Sequence, residues 1–208
     1  MGMYGNINTP FKRGQTYYNG NVPTSTYWKE SAMIEGMEGT FEDLAPASTR
    51  GQVLVKRSGR PVRCRAVRNA TAGETALLPK MVVTYSSGYR LRRIVGMVCV
   101  DDAEVAGVVD EFLPSTGVAY GDLFWIVVDG QTLINTGRES NVITAEDWLC
   151  GQTAATTNAA TAGSVYTYVL TSDTTTAIPR LANRIGWAIS AKTTGQTNAD
   201  MLCNVKLW

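Results

Sequence analysis

Histidine is absent from all 208 residues. That removes the one side chain whose ordinary pKa lies near neutral pH, and with it the usual general base of hydrolases and the commonest metal ligand. Cysteine is scarce and scattered: Cys64, Cys99, Cys150 and Cys203 stand singly, and no CxxC pair occurs. Isolated cysteines without histidine give no zinc pattern, and buried small hydrophobes are the expected reading. Charge is thin as well, at 18% of residues with a net +1. No global field therefore draws the chain to nucleic acid or to an anionic membrane. No apolar run approaches the roughly 18 residues that span a bilayer. The opening MGMYGNINTPFKRG has no apolar core of the signal-peptide kind, and Asn6 stands where a myristoylation pattern needs Ser or Thr. Synthesis in a cytoplasm is the expectation.

The catalytic patterns are missing too. Without histidine, a Ser or Thr nucleophile would need a lysine or an N-terminal amine as its base. No Ser-x-x-Lys, Gly-x-Ser-x-Gly, GxxxxGK[ST] or GxGxxG occurs. Asp101, Asp102 and Glu104 cluster, with Asp110 and Glu111 beyond. Two of these carboxylates could share a proton or bind a divalent cation, but a run of charge is more often a solvated loop between strands. The expectation is no enzyme activity, no cofactor and no metal.

What is present is a β-type pattern behind a polar, glycine-punctuated beginning. Residues 1–50 scatter their apolar residues among Gly2, Gly5, Gly14, Gly20, Gly36 and Gly39, yet hold Tyr4, Phe11, Tyr17, Tyr18, Tyr27, Trp28 and Phe41. A free disordered tail would be poor in aromatics. An extended arm laid on its own or a partner's surface is expected, with a short helix near 26–37. From Arg50 on, short β-prone runs alternate with turn signals. Gln52–Lys56 and Pro61–Val67 read as strands around a turn at Ser58-Gly59. Pro79–Tyr85 and the run RLRRIVGMVCV, with a kink at Gly96, follow. Asp122–Val128 is the strongest strand and is closed by the hairpin signal Asp129-Gly130. Thr144 is placed as the cap of one helical turn. GQTAATTNAATAGS, residues 151–164, has little to bury and reads as an exposed loop. Val165–Leu170, Arg184–Ile189 and Met201–Trp208 return to strand, the last with Met201, Cys203, Val205 and Leu207 on its apolar face. The fold class expected is all-β: a small β-barrel, β-tulip or sandwich over 51–208 with a long extended N-terminal arm over 1–50.

The most marked local charge is basic: Lys56, Arg57, Arg60, Arg63, Arg65 and Arg68, with Arg90, Arg92 and Arg93 as a second group. On paired strands they would form a cationic face. Backbone neutralisation of a nucleic acid is one use of such a face. No aromatics interleave with the arginines, as stacking platforms require. A protein interface, or sheet-surface charges bridged to the Asp101–Glu104 loop, therefore ranks above nucleic acid.

Arg68-Asn69-Ala70-Thr71-Ala72-Gly73-Glu74, Gly96-Met97-Val98, Gly121–Gly130, the closing Arg184–Ile189, a Thr-Gly loop and Met201–Leu207 together resemble the capsid decoration, or cement, proteins of tailed bacteriophages. The resemblance covers about two-thirds of the chain and is one of strands and turns. It implies a β-barrel or β-tulip domain with no catalytic role, set on the outer capsid of the virion, often as a homotrimer. Such a protein bridges neighbouring subunits of the major capsid protein, often with an extended arm. Length and aromatic content of residues 1–50 exceed the short tail of the smallest members. On this reading the interface candidates are Tyr17, Tyr18, Tyr27, Trp28 and Phe41 in the arm, and Arg57, Arg60, Arg63 and Arg65 in the basic stretch. The rival expectation is a β-rich, trimeric tail-fibre or receptor-binding module that presents loops such as 151–164 to glycans.

Overall fold

The computed structural model describes residues 11–17, 33, 35–46, 54–71, 76–85, 95–98, 104–137, 142–151, 163–167, 184–196 and 199–207. They are all-β, with no helix among them. Ten strands run in chain order: β1 Glu38–Pro46, β2 Leu54–Asn69, β3 Val82–Thr84, β4 Val95–Val98, β5 Val105–Val109, β6 Leu123–Asn135, β7 Trp148–Gly151, β8 Val165–Thr167, β9 Arg184–Ala188 and β10 Asp200–Lys206. They form one sheet in the order β1-β2-β4-β3-β5-β6-β10-β9-β7-β8. Every pairing is antiparallel except β2 with β4. The expected closed barrel is corrected to an open sheet, whose end strands β1 and β8 do not meet. Within it β2 also pairs β6 directly, through Arg63–Arg68, so β4, β3 and β5 lead from β2 round to β6.

The central strand explains itself from its composition. Leu123-Phe124-Trp125-Ile126-Val127-Val128 is apolar at every position because both of its faces are buried. Leu123, Trp125 and Val127 enter one core with Phe11, Phe41, Val62, Cys64, Ile134, Leu149, Met201 and Val205. Phe124, Ile126 and Val128 enter a second with Val67, Leu77, Val83, Val109, Leu113 and Val118. β6 is thus the wall between two cores. Strand β10 puts Met201, Cys203 and Val205 into the core as its pattern predicts, with Leu207 packed against it, while Asn204 on the opposite face is buried as well.

Three local expectations are overturned. Ser58-Gly59 is not a hairpin turn, because β2 runs through it from Leu54 to Asn69. Both halves pair with β1, at Glu42↔Pro61 and then Leu44↔Lys56, so the residues between form a bulge opposite Asp43. Asp129-Gly130 is not a hairpin either, since β6 continues to Asn135 and pairs β10 along 129–135. Gly130 serves close approach instead: a Cβ there would sit 3.0 Å from Pro61 O and from Val62 Cα, at φ +110°. Thr144 caps no helix. Its N–H and hydroxyl both donate to Asp147 Oδ2 at 2.7 Å, closing a turn that leads into β7.

The first fifty residues are only partly described, and the described parts belong to the sheet. Strand β1 lies along β2, Phe41 is core, and Tyr17 and Leu123 exchange backbone hydrogen bonds of 2.7 Å. The boundary expected at residue 50, most of the helix near 26–37 and most of the 151–164 loop lie outside the described residues.

Candidate interaction surfaces and the buried charge cluster

Between the N-terminal segment, the bulge of β2 and the turn after β5, five ionisable side chains meet out of water. Arg13 Nε–H donates to Asp110 Oδ1 at 2.9 Å, and Nη2 lies 2.7 Å from the same oxygen. The two side chains are 2% and 1% exposed, which makes this a fully desolvated pair. Asp110 Oδ2 accepts the Gly14 N–H at 2.6 Å, and the Arg13 guanidinium sits 4.8 Å from the Phe112 ring centroid. Glu111 Oε1 accepts Arg57 Nη2 at 2.8 Å and the Thr132 hydroxyl at 3.3 Å. Arg57 also donates to Leu44 O at 2.7 Å, and its Nε lies 3.7 Å from Asp43 Oδ1.

Burial governs the electrostatics of this cluster. It pushes the Glu111 carboxyl above its ordinary value, and the nearby Arg57 and Arg13 only partly offset that. For Arg13 burial opposes the charge, but Asp110, Cys64 and Glu111 together outweigh it, so the guanidinium holds its proton more tightly than a free one. The neighbouring Cys64 thiol is pushed up to about 12, chiefly by burial, and burial raises Cys203 as well. Cys64, Cys150 and Cys203 are all buried free thiols, as expected, and Cys99 lies outside the described residues. Buried thiols with raised pKa are inert small hydrophobes rather than nucleophiles. Among the described residues, no three Cys, Asp or Glu side chains are grouped to hold a metal ion.

The candidate interface residues divide sharply. Phe41 is withdrawn from the surface: it packs edge-on to Trp125 with ring centroids 5.2 Å apart. Arg57 is likewise internal, committed to Glu111 and Asp43. The bulge turns Arg57 inward over the end of β1. Tyr17 is half-buried; its hydroxyl donates to Lys12 O at 3.0 Å and its ring meets Phe11 edge-on at 5.2 Å. Arg65 is held by Glu38 Oε1 at 2.8 Å and by the Tyr85 hydroxyl at 2.7 Å. Arg63 is exposed, 3.9 Å from Asp129. Arg60 is exposed and makes no ion pair among the described residues; it lines a cleft of about 220 Å³ with Glu42, Lys56, Ser58 and Pro61. Tyr18, Tyr27 and Trp28 lie outside the described residues, as do Arg90, Arg92, Arg93, Asp101 and Asp102.

The basic stretch is therefore not an open cationic face. Lys56 pairs with Glu42, Arg65 with Glu38 and Arg68 with Glu35, all carboxylates on or just before β1. Of the loop expected to bridge to the arginines, Asp101 and Asp102 lie outside the described residues. Asp110 and Glu111, expected as solvated charges, are buried, as is Arg13. Nothing local marks them: Arg13 and Asp110 are 97 residues apart in the chain.

A second feature that the sequence did not signal is aromatic. Trp148 and Trp187 are cross-strand partners on β7 and β9, edge-on at 5.6 Å, and the Arg184 guanidinium lies 4.3 Å from the Trp148 ring centroid. Comparison with known proteins finds no matching family model and no similar curated protein.

Proposed function

We propose that this chain is a structural virion protein: a head decoration protein that binds the outer capsid surface and stabilises the shell by bridging subunits of the major capsid protein, as a homotrimer. The resemblance of the strand-and-turn pattern motivates the reading. The observation that supports it is the anchoring of the N-terminal segment. Arg13, Gly14 and Tyr17 are tied into the sheet by the Asp110 pair and the Leu123 backbone bridge, and Met33 returns to the same core. Residues 18–32, with Tyr18, Tyr27 and Trp28, thus leave one fixed point and arrive at another. Aromatic residues on a short connection between fixed points lose less entropy on docking than the same residues on a free tail. A protein that binds only the assembled shell stabilises it by mass action.

Deleting residues 1–45 would not test this, because it removes Phe11, Arg13, Phe41 and most of β1 along with the connection. Point substitutions in the full chain do test it. Sedimented with isolated expanded heads of the phage that encodes it, the protein is expected in the pellet, and native mass spectrometry is expected to give a trimer. Tyr27→Ala with Trp28→Ala should lower head occupancy roughly tenfold or more with no change in thermal unfolding. A protein that stays in the supernatant, or a double variant that still fills the heads, overturns the reading.

A further inference from the structure

The Trp148 platform is a built feature of the sheet. Pairing of β7 with β9 runs Trp148↔Trp187, Leu149↔Gly186 and Cys150↔Arg184, with a register shift between the last two. In a regular strand, residues three apart face opposite ways. The extra residue at Ile185 re-aims the chain, so that Arg184 and Trp187 both reach Trp148. Gly186 makes this possible by lying against β10: a Cβ there would stand 1.9 Å from Asn204 O. The two indoles and the guanidinium are thereby fixed before any ligand arrives, while Leu149 and Ile185 fill the core beneath them.

The platform remains open to solvent. Trp148 is 42% exposed, which is unusual for the largest side chain in a sheet of this size. Arg184 has no carboxylate partner among the described residues. The nearest acidic residues in sequence do not supply one, because Asp147 is committed to Thr144 and Glu146 makes no ion pair with it. A stacked guanidinium with its N–H edge unpaired suits a planar carboxylate. Among the described residues, the other exposed large hydrophobics, Val55, Leu78, Tyr120 and Val142, are single residues on other elements and loops. What fits an exposed indole beside a guanidinium that has no carboxylate partner among the described residues is a small, hydroxyl-rich ligand with an acidic group.

We infer that Trp148, Trp187 and Arg184 form a binding site for an acidic saccharide, in which the sugar ring lies against the Trp148 indole and its carboxylate pairs with Arg184. The site does not depend on the capsid reading, since a decoration protein and a receptor-binding module could each present it.

The test uses the full chain and defined sugars: sialyllactose and a glucuronate oligosaccharide, against lactose and a neutral glucose oligosaccharide. Titration is followed by ligand-observed NMR and by tryptophan fluorescence. The acidic sugars are expected to bind at least roughly tenfold more tightly than the neutral ones, the size of one charge-assisted contact. Trp148→Ala should abolish binding and Trp148→Phe should retain part of it, with circular dichroism unchanged in both. Arg184→Gln should remove the preference for acidic sugars. Absence of binding at millimolar sugar overturns the inference. So does equal binding of neutral and acidic sugars, binding that survives Trp148→Ala in a folded protein, or equally tight binding of a glutamate-rich peptide.

Discussion

Strand β2 contributes arginines to two very different settings. At solvent-reached positions along β2, Lys56, Arg65 and Arg68 meet Glu42, Glu38 and Glu35 of the neighbouring N-terminal chain, with at least one partner of each pair in contact with water. A few residues away Arg57 turns inward and joins Arg13, Asp110 and Glu111 at the junction of three elements. The residue types are the same, but the solvent is not. In water an ion pair gains little, because each charge was already solvated. Out of water, each charge depends on its partner, and losing one strands the other. The outer pairs adjust the surface around β1 and β2, whereas the inner cluster, with the Phe11 packing and the Tyr17–Leu123 bridge, ties the N-terminal segment into the fold.

The largest effect should come from breaking the inner pair on one side only. Asp110→Ala leaves the Arg13 guanidinium buried without its partner and the Gly14 N–H without its acceptor, and should cost about 3–5 kcal/mol in denaturant unfolding. Replacing both partners with apolar residues of similar volume, Arg13→Met with Asp110→Leu, should recover most of that loss. If Asp110→Ala costs no more than a surface change, the distinction between the two settings collapses.

The pH dependence sharpens it further. Burial raises the Glu111 carboxyl above the ordinary value of 4.5, even with Arg57 and Arg13 facing it and Asp110 adding to the rise. The folded state then holds this proton more tightly than the unfolded chain. The stability it contributes is fully present below about 4.5 and is lost as pH rises through the folded value. Unfolding free energy measured against pH should therefore fall less across that window in Glu111→Gln than in the parent. An identical pH profile would mean that Glu111 titrates normally. The smallest effect is expected outside: Lys56, 69% exposed, pairs with Glu42 at 3.0 Å, and Lys56→Ala should change stability by less than about 1 kcal/mol.

These two settings also mark what could be read in advance. Alternation in 201–207 located a strand and its buried face, and the unbroken apolar run after Asp122 marked a strand with no solvent side. Isolated cysteines among apolar neighbours identified buried thiols. The turn signals were less informative. Ser58-Gly59 and Asp129-Gly130 have the composition of hairpins but serve as a bulge and as a point of close approach, because partner strands on each side extend past them. Glycine permits a turn without requiring one. The candidate surface was the least legible part. Phe41 and Arg57 looked like contact residues and are interior, while Trp148, Trp187 and Arg184 came together through a register shift between strands more than thirty residues apart.

The sequence by itself determined the class of secondary structure, the buried face of its regular strands and the lack of any histidine-based chemistry, since each depends on residue type and local period. Tertiary structure alone decided which charges are solvated and which arginines are free. It also decided that Phe11 and Arg13 are buried, because burial and ion pairing depend on neighbours far away in the chain. Arg13 acquires its role only when Asp110, 97 residues later, closes over it.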